Sequence, residues 1–192
     1  RQMCIRDREL PDPAAPSDKE WAAVTTTQVS WGTTDVRYAK HGLPRLKNQQ
    51  TVALKGWRGE RVNAQAVVWT GVELKDLNFS FGDFKDKKGN VLPQDAFTGG
   101  FVRYVMTDEL NKDGRGACGH RKAVDYDSLL VADPIDTSLK AMALPARTVQ
   151  PVWVQCWIPQ SAVPGTYKGE LLINDGSRLL QRCLLYTSDA AD

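Results

Sequence analysis

Nowhere in this sequence do apolar residues run on for the roughly 18 positions that a membrane-spanning helix requires. Charge of one sign is equally lacking, since 25 lysines and arginines stand against 23 aspartates and glutamates, a net charge of +2. A nucleic-acid-binding surface needs a concentrated basic face, so the composition makes no electrostatic case for that partner. Histidine is scarce. Only His41 and His120 occur, and neither stands in a serine or cysteine nucleophile context, which argues against triad chemistry. Glycine-rich phosphate loops are missing too: Gly114-Arg115-Gly116 lacks the following lysine and the strand-to-helix frame. No internal repeat and no low-complexity tract breaks the chain.

The 192 residues make room for one domain, and 42% hydrophobic residues suffice for a core. Fifteen glycines, ten prolines and six tryptophans lie among short runs rich in valine, threonine and tryptophan, a pattern that favours strands over helices. Period-two alternation is clearest in residues 60–70, where Val62, Ala64, Ala66 and Val68 share one face and Arg61, Asn63 and Gln65 the other. Leu77, Phe79 and Phe81 repeat it, and residues 86–90 (DKKGN) make a turn before Val91. Residues 101–107 and 152–158 read as further strands. Pro164-Gly165 turns the chain into another, with Tyr167, Gly169, Leu171 and Ile173 facing inward, and Asp175-Gly176 opens a hairpin toward Leu179 and Leu180. Residues 112–147 carry little alternation and several Gly and Pro, so they read as a long loop. The expected fold is all-β: a β-sandwich of antiparallel strands with one long irregular loop.

The two ends read differently from the middle. One permitted codon spelling of residues 1–8 (RQMCIRDR), reverse-complemented and shifted by one frame, translates as CLLYTSD, the sequence of residues 183–189. The string resembles the transposase adapter used in preparing sequencing libraries, so residues 1–8 and 183–192 are expected to be adapter-derived tails outside the fold. Between them lie a proline-rich lead-in over 9–20 and the sandwich over 21–182, and the whole is expected to be an internal piece of a longer chain. The tails should lie unpacked. Against this, Cys183, Leu184, Leu185 and Tyr186 continue the apolar run of Leu179 and Leu180, which suits an extension of that strand.

Few residues carry a chemical pattern. Setting the tails aside removes Cys4 and Cys183 and leaves Cys118 and Cys156, too few for a disulfide framework; a single bridge or two unrelated thiols both stay open. Cys118, His120 and Cys156 match no paired zinc-ligand spacing, so no metal site is assigned. Asp125, Asp127, Asp133 and Asp136 fit no calcium motif and read as solvated loop carboxylates. Asp108-Glu109 is the one adjacent acidic pair with a chemical precedent: in hexosaminidases such an Asp orients the substrate's acetamido group while the Glu serves as acid and base. Such a pair is also common at the polar end of a strand.

Several connected stretches carry a family resemblance. Residues 56–70 (GWRGERVNAQAVVWT), 101–110 (FVRYVMTDEL), 118–121 (CGHR), 131–136 (VADPID) and 150–173, with QPVWVQCWIP followed by PGTYKGELLI, together resemble the N-terminal domain of glycoside hydrolase family 123-type proteins. The resemblance implies a β-sandwich placed before a (β/α)-barrel, whose own Asp-Glu pair cleaves N-acetylgalactosaminides by substrate assistance without metal or organic cofactor. No βα repeat occurs in this chain, so the barrel lies outside it. Asp108-Glu109 falls in the sandwich segment and does not inherit the catalytic role; no residue here is assigned to catalysis. The resemblance further implies a periplasmic or extracellular protein, with the catalytic barrel of the same polypeptide as partner and a glycan as a second candidate partner. The alternative is a carbohydrate-binding or accessory β-sandwich module.

The strand at 152–158 offers the only candidate surface. Val152, Val154, Cys156 and Ile158 form an aliphatic set suited to the interior, and Trp153, Gln155 and Trp157 form the opposite set. Two indoles flanking an amide call for cover. The loop over 112–147, the missing barrel or a stacked sugar could each supply it.

Overall fold

The structure, a computed structural model, describes residues 17–107 and 129–189, with side chains over 17–106 and 130–184. Among the described residues twelve strands follow a one-turn helix, α1 (Asp18–Trp21). In chain order they are β1 (Thr27–Gly32), β2 (Thr51–Gly56), β3 (Arg61–Thr70), β4 (Leu74–Phe81), β5 (Phe84–Lys85), β6 (Val91–Leu92), β7 (Phe97–Thr107), β8 (Leu129–Asp136), β9 (Ala141–Leu144), β10 (Thr148–Trp157), β11 (Thr166–Asp175) and β12 (Arg178–Asp189). The first sheet has the order β1-β3-β10-β7-β8, and the second β2-β12-β11-β4-β9, with the small β5–β6 hairpin attached to β11. The fold is the expected all-β sandwich. No helix among the described residues is long and apolar enough to cross a membrane.

Alternation explains why these segments pair as they do. Val62, Ala64, Ala66 and Val68 of β3 and Val152, Val154 and Cys156 of β10 turn inward to meet Leu74, Leu77, Tyr167, Leu171 and Ile173 of the second sheet. Each large aliphatic side chain removed from water in this way contributes about 1.5–3 kcal/mol. Aromatic rings fill the wider end, where Phe79 meets Phe101 edge-on at 5.3 Å and Phe84 stacks on Phe97 at 3.8 Å. Phe84 lies flat on the backbone of Gly169: a Cβ there would sit 2.4 Å from the ring. The DKKGN turn closes as its sequence suggests, with Asp86 accepting from the amides of Lys88 and Asn90 (2.8 Å each) and Gly89 at φ +88°.

A second, smaller core lies outside the first sheet. Val67 and Trp69 on the outer side of β3, with Val149 of β10, are covered by Trp21 and Tyr38. The polar outer face read for Arg61, Asn63 and Gln65 therefore ends at Val67. Residues 18–20, placed in the lead-in by sequence, form most of α1, whose Trp21 donates its indole N–H to the His41 carbonyl at 2.8 Å. The Arg147–Asp18 ion pair holds the helix to the turn before β10.

Both flanks of the sandwich are crossed by the chain. On one, Gln49 accepts from the Trp31 amide (2.8 Å) beside β1, and the next residue, Gln50, accepts from the Leu184 amide (2.8 Å) of β12. The chain thus steps from the first sheet to the second within one residue. On the other flank a four-residue link joins β8 to β9, and Asp136 caps it by accepting from the Ser138 amide (3.0 Å) and hydroxyl (2.6 Å) and the Leu139 amide (3.1 Å).

Three expectations change. Residues 112–147 are not all loop, since β8 and β9 fall within them; residues 108–128 lie outside the described residues. Pro134 is tolerated because β8 is an edge strand, where a missing N–H breaks no second ladder. The strands are not all antiparallel, because β12 pairs with β2 in parallel. The C-terminal tail is not unpacked: β12 runs through to Asp189 between β11 and β2, and Cys183 is fully buried. Its apolar run meets two strands with open ladders, and that outweighs the expectation of a loose end.

Candidate functional site

The outer face of β10 is graded along its length. Register places Val149 opposite Trp69, Trp153 opposite Gln65, Gln155 opposite Asn63 and Trp157 opposite Arg61. Val149 is wholly buried, Trp153 is half-buried against Val102, Tyr104 and Ala132, and Trp157 is 55% exposed. Cover at the buried end comes from the N-terminal segment. Gln65 donates to the carbonyls of Thr33 (2.8 Å) and Val36 (3.1 Å), and the Val149 amide donates to the Lys40 carbonyl at 2.8 Å. Arg37 and Asp133 bridge that segment to β8 at 3.1 Å. The sequence left the loop over 112–147, the missing barrel and a sugar open as cover; of the 112–147 stretch, β8 supplies Ala132 against Trp153.

Asn63 organises the middle of the face. Its Oδ1 accepts from Trp153 Nε1 (3.3 Å) and from Gln155 Nε2 (3.2 Å), so the three side chains form one connected row. At the open end, Trp157 Nε1 donates to the Gly59 carbonyl at 3.2 Å and the Arg61 guanidinium lies 4.8 Å from the indole centroid. That carbonyl belongs to the β2–β3 turn. Glu60 Oε2 accepts from the Trp57 amide (2.8 Å), and Gly59 adopts φ +83°, a left-handed conformation that glycine takes without strain. The turn is tied to the end of β10 by Gly59 N–H to Ile158 O (2.8 Å) and Ile158 N–H to Glu60 O (2.9 Å). It also carries Trp57, which is 56% exposed. Sequence reading missed the joining role of Asn63, although the alternation already put Asn63 on this face.

The remaining candidates do not gather into a site. Cys156 is a free thiol inside the main core, and burial pushes its pKa up to about 12. Cys118 and His120, the other atoms of the weighed zinc or disulfide arrangement, lie outside the described residues, as do Asp108, Glu109, Gly114 to Gly116, Asp125 and Asp127. No group of three His, Cys, Asp or Glu side chains that could hold a metal occurs among the described residues. His41 bonds through Nδ1 to the Arg147 carbonyl at 3.0 Å. Asp136 is no solvated loop carboxylate, being engaged at the end of β8, where Arg103 also reaches it at 3.3 Å.

Comparison with known proteins places this architecture. None of the curated proteins matches the sequence. Among solved structures, a family 123 glycoside hydrolase from Clostridium perfringens, studied for the details of glycolipid glycan hydrolysis, superposes with a TM-score of 0.67 at 19% identity over 86% of this chain. This chain spans 27% of that enzyme's length. A mutant of the CFA/I adhesin CfaE from enterotoxigenic E. coli aligns over 87% of this chain and 49% of its own at 11% identity, with a TM-score of 0.39, too low to carry an argument. The family model described as the glycoside hydrolase 123 N-terminal domain matches residues 31–175, from the end of β1 to the end of β11. With most of the chain covered by that match, and the same sandwich present in a family 123 enzyme, the chain belongs to the glycoside hydrolase 123 N-terminal domain family.

Proposed function

We propose that this chain is the non-catalytic N-terminal β-sandwich of a glycoside hydrolase family 123-like enzyme. In this reading a catalytic barrel in the rest of the polypeptide cleaves N-acetylgalactosaminides by substrate-assisted hydrolysis, in the periplasm or outside the cell. The observation that carries the reading is the family match over residues 31–175, together with the 27% of the Clostridium perfringens enzyme that the chain spans. Three of the described carboxylates fit it. A glycosidase acid must hold its proton near neutral pH, so its pKa is raised. Here the hydrogen bond from Lys85 lowers Asp83, that from Asn90 lowers Asp86, and that from Ser138 lowers Asp136. These groups serve as acceptors in turns, the opposite of what acid catalysis asks. The purified chain is expected to release no phenol from aryl N-acetyl-galactosaminides. Turnover abolished by Glu109→Gln would overturn the reading.

A second reading, a carbohydrate-binding or accessory module, draws on one observation: Trp157 stays open to solvent while Trp153 on the same strand is half-buried.

A further inference from the structure

We propose that Trp157, with Gln155 and Asn63, forms a stacking platform for a neutral pyranose ring, a hexose or N-acetylhexosamine within an oligosaccharide. The proposal gives the accessory-module reading a site and rests on that reading. Its starting point is the burial gradient of β10. The chain folds its own N-terminal segment over one end of the outer face and leaves an indole more than half exposed at the other.

The ring is held ready. Its single polar group already donates to Gly59, and Arg61 lies over it. The rotamer is therefore fixed from two sides before anything binds, which removes part of the ordering cost of association. Because the N–H is engaged internally and Arg61 lies over one face, what Trp157 offers a ligand is the apolar surface of its other face.

The surroundings tell a sugar from a protein. A protein interface centres on a dry apolar patch with polar groups at its rim. Here the outward neighbours of Trp157 along and across the strands are Gln155, Asn63 and Arg61, with Thr98 of β7 beside Gln155: two planar amides, a guanidinium and a hydroxyl. Asn63 Oδ1 is doubly engaged. Among the described residues this leaves the Asn63 amide nitrogen and the Gln155 carbonyl to serve a ligand, one as donor and the other as acceptor. A pyranose has the complementary shape: a face of C–H groups that stacks on an aromatic plane, and a fringe of hydroxyls that both donate and accept. A single ring stacked on Trp157 would present its hydroxyls toward Gln155, about 7 Å along the strand.

The test titrates the full 192-residue chain with neutral oligosaccharides of galactose and N-acetylgalactosamine, read by tryptophan fluorescence and by retention on the immobilised sugar. Millimolar binding is expected, unchanged when salt is raised, because no ion pair is involved. Trp157→Ala should weaken it by about tenfold, a loss of about 1.4 kcal/mol, and Val91→Ala should leave it intact. Trp157→Tyr, which keeps an aromatic plane, should recover most of the binding and controls for any loss of fold in the alanine variant. No binding at about 10 mM sugar, binding untouched by Trp157→Ala, or salt-sensitive binding confined to a sialylated probe would overturn the platform. Hydrolysis of the probe by the chain would instead overturn the non-catalytic reading, and a chain that neither binds nor hydrolyses leaves that reading standing without the platform.

Discussion

Asp136 shows how one carboxylate can fix a whole flank. Its side chain is 28% exposed and accepts from Ser138, Leu139 and Arg103 just where the chain leaves the first sheet for the second. The Ser138 hydroxyl leads in holding its pKa below the ordinary carboxylate value, followed by the Leu139 amide. A depressed folded pKa means that the ionised form is favoured by folding. The stabilisation is then complete above the unfolded value, about 3.9, and disappears as pH falls through the lower folded value. Asp136→Ala should lower stability by about 1 kcal/mol, or about 2–4 °C in Tm, at pH 7, and the gap from wild type should close in acid. Thermal melts at pH 7 and below pH 3 measure both halves; a gap constant with pH would show that the carboxylate's charge is irrelevant. Such a role is not visible in the sequence, where Asp136 is one acidic residue among several near prolines and glycines. Trp157 was legible because its alternation partners are unambiguous. The joining role of Asn63 was not, since it depends on hydrogen bonds from two side chains of the neighbouring strand.

At the scale of the element, β12 is the strand with most to test. It lies between β11 and β2, and Cys183, which faces the core, is fully buried. Deleting residues 183–192 removes a ladder on each side and a buried side chain. A loss of at least about 2 kcal/mol is expected, in line with other changes that empty a core position. Urea unfolding of the shortened chain reads this directly, and an unchanged midpoint would mean that the tail adds nothing. The strands that sequence made legible, β3, β10 and β11, are long, two-faced and interior to their sheets, so alternation had room to show. The strands it missed are short or marginal. Four residues of β9 (AMAL) contain no β-branched side chain, and β8 interrupts its apolar run with Asp133 and Pro134, as an edge strand can. The parallel pairing of β12 with β2 joins segments more than 120 residues apart, and local pattern does not encode such a contact.

On the scale of the whole molecule, the main core and two smaller outer clusters share the first sheet as a common wall. Trp21 anchors the one beneath the N-terminal segment, 2% exposed and bonded to the His41 carbonyl. Trp21→Ala should cost about 3–5 kcal/mol and uncover Trp69, Val67 and Val149. Dye binding to the uncovered face, together with a lower urea midpoint, is the expected outcome. Full retention of the midpoint would show that the N-terminal segment rides on the sandwich without supporting it.

The placement of β12 has a mechanical consequence. A force applied at Asp189 runs along the strand and meets two hydrogen-bonded ladders at once, antiparallel to one neighbour and parallel to the other. Loaded in shear, their bonds bear tension together, whereas a hairpin peeled from an edge yields its bonds one after another. At Leu184 the load passes to Gln50, and through the adjoining Gln49 to Trp31 in the opposite sheet. Tension arriving at that end is thereby distributed over both layers before any strand can slip.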